Sequence, residues 1–214
     1  MRIYCVGYRS WALNIYKILK KKTNHQFKIQ DKKKISVKKI KKFKPHYILF
    51  YGWSNKIPAI LTKSYFCVML HPSPLPKFRG GSPIQNQIIR NIKKTKVTLF
   101  KMNEKMDAGP ILLTQKLSLE GHMHEIFESL TKIGVNLTLK IFSKKYKLKK
   151  QNEKLATFYK RRKPSESLLT IKEIKNKNSN YIYNKIRMLE DPYPNAYLKT
   201  KDGKKIKIKY AQLS

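Results

Sequence analysis

Apolar residues in this chain fall into short continuous runs separated by segments in which they recur at helical spacing. Residues 2–7 (RIYCVG), 46–52 (HYILFYG) and 66–70 (FCVML) are dense in aliphatic and aromatic side chains and stop at Gly7, Gly52 and His71. Short runs of this kind bounded by turn signals read as buried strands. Residues 97–102 (VTLFKM) and 111–119 (ILLTQKLSL) predict two more strands. Between the runs, Trp11, Ile15, Ile18 and Leu19 share one face of a helix over 10–20. Pro83 opens a short helix over 83–91, with Ile84, Ile88 and Ile89 as its apolar side. Ile126, Leu130, Ile133, Leu137 and Ile141 form a core-facing stripe over 124–142. Strand, turn and helix in alternation predict an α/β fold, Rossmann-like, with a mostly parallel sheet flanked by helices. The turn GYRSWA (7–12) lacks the second and third glycines of a dinucleotide-binding loop.

The pattern changes after the long stripe. Residues 144–154 (KKYKLKKQNEK) are polar and basic and read as a linker. Residues 179–189 predict a helix, DPYPN (191–195) stops it, and two strands follow across Asp202-Gly203, a strong hairpin signal. The expected division is a main α/β domain at 1–150 and a small C-terminal α+β extension at 151–214, made of a helix and a β-hairpin.

Charge complicates this picture. The 214 residues carry a formal net charge of +37. Such an excess suits a polyanionic partner. The cations, however, are 42 Lys against 7 Arg, spread along the chain. Arg is the residue favoured for bidentate phosphate recognition, so compositional bias is the reading preferred over a dedicated nucleic-acid surface. Cys5 and Cys67 lie inside apolar runs and read as buried free thiols. No run approaches the ~20 apolar residues of a membrane span, and the N-terminal run is short for a signal peptide. A cytoplasmic location without membrane association is expected. His122 and His124 lack the further ligands of a metal site, so no metal is expected.

Two loops carry the candidate chemistry. HPSPLPKFRGG (71–81) places His71 at the end of a buried run and then locks the backbone with three prolines and two glycines. Asp107 follows in the turn MDAGPIL, 36 positions later. Each group alone is ordinary. Together, on loops expected to open at the carboxyl ends of neighbouring parallel strands, they suit acid/base work on a ligand.

These residues resemble the N-formyltransferase family that uses 10-formyltetrahydrofolate. The family loop H-x-S-L-L-P-x-Y-R-G stands here as HPSPLPKFRG, and its later D-x-G-x-I turn as DAGPI at the same spacing. GGSPIQNQI resembles the helix that follows, the YGW turn (51–53) a folate-contacting loop, and YNKIRMLEDPYPNAYLKTKDGKKIKI the region that opens the C-terminal part of the tRNA and amino-sugar branches. The resemblance implies formyl transfer from 10-formyltetrahydrofolate to a primary amine, without a metal. His71 would donate to the developing oxyanion. Asp107 would hold the charge of His71 and accept the amine proton. Tyr51, Gly52, Trp53, Leu75 and Pro76 would line the folate slot, with Gly80 and Gly109 beside them, while Ser73 and Arg79 brace the loop. One position departs from the pattern: Met69 stands where the family carries an Asn that helps hold the oxyanion.

The resemblance leaves the acceptor open. A small nucleotide-linked amino sugar is the first expectation, because DPYPNA is closer to that branch and few residues follow the hairpin. Methionyl-tRNA is the alternative. Arg161 and Arg162 are candidate phosphate contacts. A homodimer through the extension is expected. A basic RNA- or folate-binding protein without activity is the reading from another class.

Overall fold

A computed structural model describes residues 1–32 and 34–213. In chain order the elements are β1 (Arg2–Val6), α1 (Ser10–Lys22), β2 (Gln26–Gln30), α2 (Val37–Phe43), β3 (Tyr47–Tyr51), α3 (Ala59–Ser64), β4 (Phe66–His71), β5 (Arg79–Gly80), α4 (Pro83–Ile88), β6 (Lys94–Lys101), β7 (Ile111–Ser118), α5 (Met123–Phe142), β8 (Phe158–Tyr159), α6 (Ile171–Asn176), α7 (Ser179–Arg187), β9 (Ala196–Lys199) and β10 (Lys205–Ile208).

The main sheet has the order β2-β1-β3-β4-β6-β7. The first four strands are parallel; β6 runs antiparallel to β4, and β7 antiparallel to β6. Every residue of β3 is buried, as expected of a central parallel strand covered on both faces. On one face, Trp11, Ile15, Tyr16 and Leu19 of α1 pack in a single cluster with Ile126, Leu130, Leu137 and Ile141 of α5. On the other, Tyr4, Val6, Ile48, Phe50 and Cys67 meet Ile40 of α2 and Leu61 of α3. The molecule is therefore a mixed α/β fold with helices on both faces of a mostly parallel sheet.

The C-terminal region is bound to this body in three ways. Leu169, Ile186, Met188, Leu189 and Ala196 belong to the same apolar cluster as α1 and α5. Glu190 caps α5, accepting from the Met123 amide at 2.9 Å and pairing with His122 Nδ1 at 2.7 Å. β8 pairs in parallel with β5, so a segment just past the expected linker adds a short strand to the loop after His71. The hairpin β9–β10 forms across Asp202-Gly203 as the turn signal predicts.

Direction within the sheet corrects one expectation. Thr98 of β6 pairs with His71, and Lys101 with Val68. β6 therefore ends toward the start of β4, and the 102–110 connection must fold back to reach the carboxyl end of β4. The loops of His71 and Asp107 do not leave neighbouring parallel strands; they meet because the second returns across the first.

Candidate active site

His71 ends β4 with its ring buried. Its Nε2 lies 2.8 Å from the Phe78 carbonyl. A carbonyl only accepts, so Nε2 carries a proton and donates to it. Nδ1 is the nitrogen left for chemistry, and Asp107 Oδ2 stands 3.8 Å from it. The same oxygen accepts the Gly80 amide at 2.8 Å. An imidazole and a carboxylate, 36 residues apart, thus share one site.

The backbone that arranges them is held from several sides. Phe78, whose carbonyl fixes the imidazole, has φ +59°, and Asp107 has φ +49°. A bulky residue in the left-handed region costs roughly 1–2 kcal/mol and persists only where its surroundings over-determine it. The Phe78 amide donates to Thr157 Oγ1 at 2.9 Å, and its ring stacks on Tyr159 with centroids 4.7 Å apart. Ser73 is buried and donates to the Lys77 carbonyl at 2.8 Å; its own carbonyl accepts from Thr98 Oγ1 at 2.7 Å. Gln87 Nε2 holds the Pro72 carbonyl at 2.9 Å.

Arg79 is 1% exposed and makes a two-pronged pair with Glu153, at 2.8 and 2.7 Å, while Nη2 also donates to Gln151 Oε1 at 2.8 Å. Gln151 Nε2 in turn donates to the carbonyls of Asp107, at 2.9 Å, and Gly109, at 2.7 Å. Arg79 therefore braces the loop, the role the resemblance implies for it, with its buried guanidinium turned to Glu153 and Gln151. Gly109 serves the same clamp through its carbonyl. The sequence missed Gln151, Glu153 and Thr157 because they sit in or beside a lysine-rich stretch that reads as solvated linker. Only the rarity of acceptor side chains among those lysines marks them.

The expected folate-slot residues divide. Tyr51 is a core residue: it is buried, stacks on Tyr16 and hydrogen-bonds Thr138 Oγ1 at 2.9 Å. Burial pushes its phenol well above its ordinary value. Its place among the ligand-lining side chains is corrected accordingly. Gly52 has φ +61°, and a Cβ there would stand 2.8 Å from Arg9 Cβ, so glycine is what lets the start of α1 approach this turn. Trp53 is 8% exposed, and its indole Nε1 is buried without a partner. An unpaired buried donor costs about 1–3 kcal/mol. Leu75 is buried and Pro76 half-buried in the histidine loop. Met69 pairs with Phe50 and Phe100 in the sheet and shares the strand parity of His71. Its thioether supplies no donor.

Of the two candidate phosphate contacts, Arg162 is turned to Glu166, with Nη1 3.8 Å from its carboxylate and Nη2 donating to its carbonyl at 3.2 Å. Arg161 has no carboxylate partner among the described residues. Among the described residues, no group of three or more His, Cys, Asp or Glu could hold a metal ion, and no helix is long and apolar enough to cross a membrane.

A family model described as formyl transferase matches residues 12–134, more than half of the chain. The chain belongs to the formyl transferase family. The methionyl-tRNA formyltransferase of Campylobacter curvus is 33% identical over 160 residues, which is 73% of this chain and 52% of that protein. The chain thus spans about half the length of the relatives of this kind that it matches. A solved structure of a methionyl-tRNA formyltransferase from Clostridium thermocellum superposes with a TM-score of 0.84 at 33% identity, covering 97% of both chains. A 4-N formyltransferase from Francisella tularensis has a TM-score of 0.79 at 18% identity, covering 100% of this chain and 98% of that one. The last likeness is one of fold.

Proposed function

We propose that this chain transfers a formyl group from 10-formyltetrahydrofolate to the primary amine of methionyl-tRNA. The observation that carries formyl transfer is the meeting of His71 Nδ1 and Asp107 Oδ2 at 3.8 Å, with Nε2 committed to a backbone carbonyl.

The residues would act as follows. With Nε2–H spent on Phe78, Nδ1 carries a proton only in the imidazolium. That N–H is the donor for the formyl oxygen as it gains negative charge. One such aimed donor is worth about 10²–10³ in turnover. The amine nitrogen bonds to the formyl carbon, the bond from that carbon to N10 breaks, and N10 leaves with a proton. The amine gives up one proton, and Asp107 is the base within the site to take it, directly or through a water. Trp53, Leu75 and Pro76 are the side chains proposed to face the folate.

For the acceptor, the sequence reading placed a nucleotide-linked amino sugar first. Relatives at 30–34% identity named for methionyl-tRNA, together with a net charge of +37, support the other order. The amino sugar stands as the second reading, favoured by the DPYPN turn (191–195).

The purified chain incubated with 10-formyltetrahydrofolate and each acceptor decides between them, read by release of tetrahydrofolate. Turnover is expected with methionyl-tRNA and is expected to fall about 10²–10³-fold or more in His71→Ala and Asp107→Ala. Turnover with the sugar alone would reverse the acceptor order. Salt-sensitive RNA binding without turnover on any amine would sink the enzymatic reading.

A further inference from the structure

We infer that Thr157 is a positioning residue: its hydroxyl, acting through the Phe78 peptide, decides which nitrogen of the His71 imidazole holds the proton. The role rests on the proposed function and deepens it, because it names what orients the acid/base pair from outside the pair.

Thr157 precedes β8 and bonds to three residues of the histidine loop. Its amide donates to the Pro76 carbonyl at 3.3 Å, its Oγ1 accepts the Phe78 amide at 2.9 Å, and its carbonyl accepts the Arg79 amide at 2.8 Å. Gly81 continues the ladder, its amide donating to the Tyr159 carbonyl at 2.8 Å. Arg79 and Gly81 thus turn their amides to the β8 segment. Gly80, between them, turns its amide the other way, to Asp107 Oδ2 at 2.8 Å. This is the alternation of a strand. One short segment therefore aims the carboxylate and, two residues earlier, carries the carbonyl that holds the imidazole.

Phe78 is the exception to that alternation. In an extended strand the N–H and C=O of one residue face the same edge. Phe78 has φ +59°, and its two groups go to different partners: the amide to Thr157 Oγ1, the carbonyl to His71 Nε2 at 2.8 Å. The left-handed backbone lets one residue link the β8 segment to the imidazole. A phenylalanine keeps that conformation only under outside restraint. The Tyr159 ring, stacked on the Phe78 ring with centroids 4.7 Å apart, restrains the side chain. The Thr157 hydroxyl acts on the peptide itself.

A neutral imidazole has one ring proton and two places for it. The Phe78 carbonyl draws it to Nε2, while the Asp107 carboxylate, 3.8 Å from Nδ1, is the competing acceptor. The nearer acceptor prevails only while its peptide stays in place. Thr157 is exposed. The two hydrogen bonds of its own backbone do not need the hydroxyl, so the side chain can be changed without opening the core.

Thr157→Val keeps the branched shape and removes the acceptor. Thr157→Ala removes it without the branch, and Thr157→Ser retains it. Ring-nitrogen NMR shifts of His71 in the full chain, recorded in alkaline solution where imidazoles are neutral, report the tautomer without any substrate. The parent chain and Thr157→Ser are expected to show the Nε2–H form alone. Thr157→Val and Thr157→Ala are expected to show the Nδ1–H form as well. With both substrates present, the two hydroxyl-free variants should lose about tenfold or more in kcat, and Thr157→Ser less than about twofold. KM for donor and acceptor should stay within about twofold throughout. A single Nε2–H form in the hydroxyl-free variants, or a kcat loss as large in Thr157→Ser as in Thr157→Val, overturns the inference. Mixed tautomers that follow loss of the hydroxyl in a chain that formylates no amine would uphold the positioning role and refute the activity.

Discussion

Gln151 Nε2 donates to the carbonyl of Asp107 at 2.9 Å, across 44 residues of chain. The residue proposed as base is thus positioned from the C-terminal side, by an amide that also takes Gly109 and Arg79. Replacing it with leucine removes the donor and leaves two carbonyls without it. We expect Gln151→Leu to lower kcat by about 10–100-fold, because small misplacements of a reacting group are costly, with KM for either substrate little changed. Steady-state kinetics gives the split. A uniform loss of folded protein with unchanged kcat per folded molecule would reduce Gln151 to a purely structural role.

Met69 offers the converse test. It shares the strand parity of His71 and carries no donor where the resembling family has an Asn. Met69→Asn is expected to keep or raise kcat, by up to about 10²-fold if it restores an aimed donor. A large fall in turnover would show that another group has taken over that task and that the pocket has been rebuilt around the thioether.

Acid sensitivity should reside in the loop brace. Hydrogen bonds from Arg79 hold the Glu153 carboxyl below its ordinary value of 4.5. A carboxylate depressed in the folded state stabilises it at every pH above the ordinary value, and that contribution is lost as pH falls through the folded value. The gap in melting temperature between the parent chain and Glu153→Gln should therefore stay constant from neutral pH to about 5 and close below it. A gap that persists under strong acid would remove the Arg79–Glu153 pair from the account.

The thiols should be silent. Burial pushes the Cys67 thiol up to about 12 and that of Cys5 well above its ordinary value. Reactivity requires the thiolate, so iodoacetamide at about pH 8 should label neither cysteine until the chain unfolds. Prompt labelling of the native protein would show that one of the two strands opens readily.

The strands that carry the core were legible because their apolar runs are continuous: β1, β3, β4 and β7 lie where the pattern put them, within a residue or two. β2 was not, since QFKIQ at the sheet edge is mostly exposed and its alternation is faint. α3 was hidden by its brevity, and β5 and β8 are two residues each, visible only as a pairing. In the site, His71 and Asp107 could be read because proline and glycine frame them. Gln151 could not, because its value depends on a return of the chain that no local pattern encodes. Tyr51 misled for a related reason: adjacency to Gly52 in sequence says nothing about which face of the sheet a side chain takes.

The two-residue ladder between β5 and β8 has a consequence for how such proteins can be recombined. A chimera spliced at residue 150 would exchange Gln151, Glu153, Thr157 and Tyr159 along with whatever follows, and so disturb the histidine loop of the recipient. A splice beyond residue 162 would carry those fasteners with the donor of the catalytic half. In this architecture an exchange that leaves the imidazole in place begins downstream of the segment that fastens its loop.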